Sequence, residues 1–307
     1  MKYGTLTLGQ IEALCNKLGG PTAVERLLQE GFALEFTGEM AARLGVRSVP
    51  LFDRHGRCIP GQSLKFMVVD PNRAFRFDRP VLDYSIRLAR IRQYLECYGT
   101  ISLSAEEFQS VSTILIEQLR SNARCANALN GVYLPIVIPA MVVTDYGDTL
   151  NRVINGGVGL SYAAQYHLPF ANRCSDELAG KVSVVDGTRH DHLIARLARG
   201  AAVALFFPNP LRGFSIKACQ EQIASLSEGW LLAGGIDTAV AFTAYPDVLG
   251  RDHRTPGLDC AALRWESVDY SLRFDADDDH TDFNRANNLN IADASCGGGL
   301  LFVGNAS

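Results

Sequence analysis

The chain has no C-x-x-C pair, no H-E-x-x-H and no G-x-S-x-G. A paired-cysteine zinc site, a zincin-type metalloprotease and a hydrolase nucleophile elbow are therefore excluded as local motifs. Long hydrophobic runs are missing too. The longest, Leu134 to Val143, contains Pro135 and Pro139 and falls far short of the roughly 18–20 apolar residues that cross a bilayer, so no membrane association is expected. The opening Met1-Lys2-Tyr3-Gly4 leads straight into a segment carrying Glu12 and Lys17, without the apolar stretch of a secretory signal. The eight cysteines stand singly; they read as reduced, mostly buried thiols in a reducing compartment, and the expected location is the cytoplasm.

With 47% hydrophobic and 20% charged residues, the 307-residue chain has the composition of a globular protein. Its length suits two domains of about 100–200 residues each, which we divide as 1–140 and 141–307. Charge is uneven. Residues 1–140 hold 16 Lys/Arg against 13 Asp/Glu and residues 141–307 hold 13 against 20, giving +3 and −7. From Glu266 onward there are eight acids and only Arg273 and Arg285, a surface that repels phosphate backbones. Nucleic acid is not an expected partner.

Thr7 with Gln10 forms a capping-box pattern opening a helix that Gly19-Gly20 ends, and Pro21 opens a second that Gly31 closes. The segment Thr7-Leu-Gly-Gln-Ile-Glu-Ala-Leu-Cys-Asn-Lys-Leu-Gly-Gly resembles the opening of an uncharacterised bacterial protein family, which implies no activity. A DNA-reading helix pair is disfavoured because the second helix offers Glu25, Arg26, Gln29 and Glu30 instead of a basic face. Short strands are expected across 32–80, then a helix over about 80–98. Arginines 73, 76, 79, 87, 90 and 92 on and before that helix could form a basic patch for an acidic partner, but read first as a solvated face, with Asp83 four residues before Arg87. Ser104 and Glu107 form a second capping box, opening a helix toward Leu129. Residues 133–145 read as an edge strand or an interrupted one because of their prolines.

Between 181 and 245 the pattern runs strand (Val182–Val185), helix (Arg189–Arg199), strand (Ala202–Phe207), helix (Ile216–Leu226) and strand (Trp230–Ala233), an alternation that suggests a parallel βαβ layout. From Leu258 onward it gives way to short apolar runs, an antiparallel β module. The fold class is thus α+β: a helical and mixed α/β N-terminal portion, then a β-rich C-terminal module.

Several clusters invite chemistry. In Arg189-His190-Asp191-His192, Thr188 and Asp191 look like a helix cap, and residues two apart on a helix do not share a face, so no metal site is expected. Gly156-Gly157-Val158-Gly159 follows a helix instead of a strand and reads as a helix kink or a loop. Gly297-Gly298-Gly299 reads as a bulge or a close backbone approach. Asp275, Asp277 and Asp279 occupy the first, third and fifth places of a calcium loop, but the sixth is His280 and the twelfth Ala286, which excludes an EF-hand.

Trp265-Glu-Ser, Tyr270-Ser-Leu-Arg-Phe274, a polar run and Gly298-Gly-Leu-Leu-Phe-Val303 are similar in order and spacing to the closing strands of C-type-lectin-like domains. With Ile216–Leu226 and Asp237–Leu249 as the helix pair, the likeness spans 200–304. It implies a scaffold for exposed binding residues, including those of bacterial and phage proteins diversified by retroelements. The Glu-Pro-Asn and Trp-Asn-Asp calcium-sugar motifs of true lectins are absent. The function expected is therefore non-enzymatic binding of a protein or small ligand, with no catalytic residue, cofactor or metal and an open oligomeric state. The face comprises Asp275, Asp277, Asp279, Asn284, Arg285, Asn287, Asn288, Asn290 and Asp293, since amide side chains donate and accept at once. The alternative is an α/β enzyme with its site at the strand ends after Val185 and Phe207, using Asp186, Asn209 and Arg212.

Overall fold

The structure, a computed structural model, describes residues 8–17, 20–22, 24, 49–175, 177–266 and 269–304. The chain divides into two compact units, 1–49 and 50–307. In the first, helix α1 (Leu8–Lys17) is followed by Gly20, whose N–H closes onto the Cys15 carbonyl at 2.8 Å with φ of 92°. That is a glycine-dependent helix end. The capping box at Thr7 and the helix expected as far as Gly31 lie at least partly outside the described residues, as do the strands expected before residue 49.

The second unit is α+β. In chain order its strands are β1 (Leu134–Ile138), β2 (Phe170–Asn172), β3 (Val182–Val184), β4 (Ala202–Arg212), β5 (Trp230–Leu232), β6 (Gly257–Asp259), β7 (Leu263–Trp265), β8 (Tyr270–Ala276), β9 (Thr281–Asn287) and β10 (Cys296–Phe302). Eight form one mixed sheet in the order β1-β4-β10-β6-β8-β9-β2, with β5 also paired to β10, and β3 and β7 make a separate ladder. The helices are α2 (Tyr84–Leu95), α3 (Ala105–Ser121), α4 (Tyr146–Val153), α5 (Leu160–Tyr166), α6 (His190–Leu197), α7 (Ile216–Gln222), α8 (Gly235–Ala244) and α9 (Pro246–Leu249).

This topology moves the division expected at residue 140. β1 pairs along its whole length with β4, so residues on both sides of 140 share one sheet and one core. It also overturns the parallel layout. The strands expected between 181 and 245 are present, yet β4 is antiparallel to both β1 and β10, β5 is antiparallel to β10, and β3 is antiparallel to β7. Alternation of strand and helix along the chain does not determine which strands become neighbours. Here the C-terminal β10 inserts beside β4 and takes the place a parallel partner would have had. The short strands expected over 49–80 are a 3-10 turn (Gln62–Met67) and the isolated bridges Phe52 to Cys58 and Val68 to Phe214.

Local signals hold where they are chemical. Ser104 and Glu107 make the reciprocal capping box of α3, and Asp83 caps α2 by accepting from the Ile86 N–H at 2.9 Å. Proline-bearing β1 lies at the sheet edge, as a strand with a missing donor should. The glycine run at 154–159 is a π-helical segment between α4 and α5, the helix irregularity expected of it. At Gly297 an added Cβ would sit 2.4 Å from the Leu211 carbonyl, and the β4–β10 register shifts between Gly298 and Leu300.

The expected solvated face holds for Arg73, Arg76 and Arg79, which are exposed, but not for Arg87, Arg90 and Arg92, which are half-buried. Arg87 is bidentate to Asp247 at 2.7 and 2.8 Å and lies over the Tyr245 ring, Arg92 donates to the Leu103 carbonyl, and Arg79 gathers the carbonyls of Leu129, Asn130 and Gly131. They tie α2 and its approach to the rest of the unit.

Packing explains the centre. α8 is buried on every side, as a helix apolar all round must be. Trp230 anchors an aromatic group with Phe52, Phe207 and Phe302, ring centroids 5.0–5.2 Å apart. Phe274 bridges Phe242 and Phe283 at 5.2 and 4.6 Å. The eight cysteines, all described, carry free thiols, six of them buried. Among the described residues no helix is long and apolar enough to cross a membrane.

Candidate functional site

The polar run after β8 is held more firmly than its composition suggests. Its first part is strand: Asn284 and Arg285 belong to β9 and pair with Arg273 and Leu272. The chain then turns at Asn288, which has φ of 60°, the left-handed conformation that asparagine tolerates better than most residues. Leu289 is buried, and its carbonyl accepts the Lys217 N–H at 2.9 Å. That N–H lies in the first turn of α7, where no intrahelical partner exists. A helix start whose side-chain cap is Ser215, accepting from Ala218 at 3.1 Å, thus also fastens the loop. Asp293 closes the segment by accepting from the Ser295 N–H and hydroxyl at 2.8 and 2.7 Å.

This arrangement creates a cavity of about 740 Å³. Lys217 and Gln220, three apart and so on one face of α7, form one wall, and Gln220 fixes its amide by donating to the Ala261 carbonyl at 3.0 Å. Arg264 enters from β7, its Nε donating to the Ser183 hydroxyl across the small ladder at 2.9 Å. Arg285 lies over the Tyr270 ring at 5.0 Å, a cation–π contact between neighbours on one face of the β8–β9 hairpin. Asn288, Leu289 and Asn290 supply the loop side, and Asp269 and Val185 complete the lining.

Of the nine residues anticipated as ligand-binding, the cavity gathers Arg285, Asn288 and Asn290. The others go elsewhere. Asp277 and Asp279 sit at the β8–β9 tip, where the Asp277 N–H bonds to the His280 carbonyl. Asp279 contacts His280 at 2.7 Å and Asp278 contacts His253 at 2.6 Å. Asn284 is exposed and its Oδ1 accepts its neighbour's N–H. Asn287 ends β9, and its side chain is not among those described.

Asp275 and Asp293 turn toward Arg273 and Cys296. Arg273 Nε donates to buried Asp259 at 2.7 Å, and the Cys296 thiol lies 3.5 Å from Asp293. Burial pushes the Asp275 carboxyl up to about 6, against the pull of Arg273 and with Asp259, Asp282 and Asp293 adding repulsion. The residues suspected under the enzyme reading do not line the cavity. Arg212 is buried and donates to the Asn72 carbonyl at 2.9 Å.

A second cluster was missed at the sequence level. His190 is wholly buried while the His192 side chain is largely exposed, which matches the argument that the two cannot share a face. The helix cap expected there is different, since α6 starts from Arg189 in the left-handed region and Thr188 donates to the Val185 carbonyl. His190 Nε2 lies 2.8 Å from the Tyr146 hydroxyl, which also receives the N–H groups of Gly235 and Ile236 at 3.1 and 3.2 Å. Having accepted twice, that oxygen directs its proton to Nε2, and the proton of neutral His190 resides on Nδ1. Nδ1 faces Asp237 at 3.9 Å. Burial pushes His190 down and both Asp237 and Tyr146 up. With His190 and Asp237 sealed from solvent, the cluster clamps the α8 N-terminus to α4 and α6, and no substrate reaches it in this conformation.

Lys217 and Gln220 had a legible signal, their shared helix face beside the buried Ile216, Ala218 and Cys219. Arg264 and Tyr270 had none, because their meeting depends on strands distant in sequence. No family model matches the chain, and no curated protein or solved structure matches it either.

Proposed function

We propose that this protein binds a small molecule in the cavity between α7, β7 and the β8–β9 hairpin, without transforming it. The observation that carries the reading is the convergence of the loop residues Arg285, Asn288 and Asn290 with Lys217, Gln220 and Arg264 on one concavity of about 740 Å³. That volume lies within the roughly 300–1,000 Å³ typical of ligand sites. The chemistry of these six side chains is hydrogen bonding and charge, suited to holding and orienting. The C-type-lectin-like likeness of residues 200–304 supports the same role, because that scaffold presents binding residues on loops before its last strand, and α7 and α8 precede β6–β10 in the order the likeness requires. Diversification of the polar loop fits the exposure of Asn288 and Asn290. A reducing, cytoplasmic setting suits the free thiols.

The test is a thermal-shift screen of the intact protein against a chemically mixed library of small molecules. A ligand at a hundred times its Kd stabilises by about 2.7 kcal/mol, which for a unit of this size raises Tm by about 5–10 °C. At least one compound is expected to do so and to lose its effect in Asn290→Trp, which places a bulky ring at an exposed position of the cavity lining. Hits that survive that substitution unchanged, or no hits at all, would refute the reading.

A further inference from the structure

Resting on that reading, we propose that the cavity takes a small molecule recognised through a planar heterocycle of the nucleobase class. Asp269 lines the cavity together with Lys217, Arg264 and Arg285, so charge of both signs is present and the lining selects by shape and hydrogen-bonding geometry. Its flat surface is made by Arg285 and Tyr270. In the β8–β9 ladder Tyr270 pairs with Asn287 and Leu272 with Arg285, which puts the Tyr270 and Arg285 side chains diagonally on one face of the hairpin. There the guanidinium lies over the ring at 5.0 Å, with Arg285 exposed and Tyr270 half-buried. A guanidinium backed by an aromatic ring on one side offers its other side to a second flat group, and bases stack on guanidinium planes.

Groups able to read the edge of such a ring share the same lining. Gln220 donates to the Ala261 carbonyl at 3.0 Å, which fixes its amide plane and leaves Oε1 as an acceptor. Arg264 is fixed in the same way, its Nε donating to the Ser183 hydroxyl at 2.9 Å, with the terminal nitrogens as its remaining donors. Asn288 and Asn290 line the loop side, both exposed, and each amide donates and accepts at once. A base presents the matching pattern, donors and acceptors set along one rigid planar edge, and Asn, Gln and Arg side chains read such edges. Leu289 and Val185 add apolar surface to the lining, which suits a ring better than a polyol. The base belongs to a free small molecule and not to a nucleic-acid strand, because from Glu266 to the end the chain carries eight acids against Arg273 and Arg285, and these repel a phosphate backbone.

The experiment is calorimetric titration of the full chain with adenosine, guanosine, cytidine and uridine, beside glucose as a non-planar probe and a short oligoadenylate as a nucleic-acid strand. Arg285→Lys keeps the charge, removes the plane and alters an exposed side chain, so the variant should fold. At least one nucleoside is expected to bind, to be lost in Asn290→Trp, and to be weakened about tenfold in Arg285→Lys, the loss typical of a stacking contact. Raising sodium chloride from low to high concentration should change its affinity by less than about twofold, because the contacts are not ionic. Nucleoside binding that Arg285→Lys leaves unchanged, or that salt abolishes, overturns the stacking assignment. Oligoadenylate binding more tightly than adenosine overturns the assignment to a free small molecule. If every nucleoside is silent while glucose, or another compound from the thermal-shift screen, binds and is lost in Asn290→Trp, the heterocycle is overturned and small-molecule binding stands. Binding by no probe and no library compound overturns both.

Discussion

Asp275 shows how one carboxylate can register the pH of its surroundings. It stands directly across from Asp282 in the β8–β9 ladder, and its carboxyl is raised from 3.8 to about 6, mainly by burial. A folded-state value above the unfolded one means that the native protein binds the proton more tightly. The contribution is fully present below about pH 4 and is lost as pH rises through 6. Asp275→Asn should therefore flatten the stability profile across that window and stabilise the protein at pH 7.5 by about 1–3 kcal/mol. Urea denaturation of both proteins at pH 4.5 and 7.5 checks this, and a variant less stable at pH 7.5 would show that the charged form is held by Arg273 more strongly than burial opposes it. Asn288 makes a different point at the same scale. Composition marks it as polar and replaceable, yet its backbone is left-handed, so its tolerance depends on conformation as much as on exposure.

Elements in this protein meet at distances their side chains permit, and the irregular segment at 154–159 is where that matters most. A Cβ on Gly157 would lie 2.3 Å from Leu95 Cδ2 and 2.9 Å from the Thr243 hydroxyl, between α2 and α8. Leu95 is fully buried and has little room to yield. Gly157→Ala should cost about 1–3 kcal/mol as overpacking, while Gly200→Ala, with nothing within 4 Å of the new atom, should change stability by about 0.5 kcal/mol or less. Thermal unfolding of the two variants side by side measures the difference; equal melting temperatures would mean that α2 and α8 can separate freely.

For the whole molecule, the division at residue 49 implies that residues 50–307 hold a complete core, including the Trp230 aromatic group and buried α8. A fragment comprising 50–307 should unfold in one cooperative transition and keep its near-ultraviolet circular dichroism, as a unit with its own core does. A fragment spanning 141–307 should not, because β4 would lose β1, its partner from Leu134 to Ile138, and expose a sheet edge. A folded 141–307 fragment would restore the boundary expected from length alone.

Local chemistry was legible in the sequence. The Ser104–Glu107 box, the edge placement of the Pro135 strand, the break at 154–159, the opposed directions of His190 and His192 and the α+β class all follow from hydrogen-bonding capacity, ring constraints and periodicity within a few residues. Part of the cavity was legible as well, through the polar residues Arg285, Asn288 and Asn290. What lay beyond reach was every relation between distant segments: β10 beside β4, the small β3–β7 ladder that delivers Arg264, and Lys217 facing a loop about seventy residues later. The acidic balance of the C-terminal stretch even pointed away from a cavity lined by Lys217, Arg264 and Arg285, because net charge sums over sequence while a cavity samples only the side chains that turn into it. Strand pairing and side-chain convergence depend on which apolar faces find each other in the collapsed chain, a choice made by the whole core and written in no single segment.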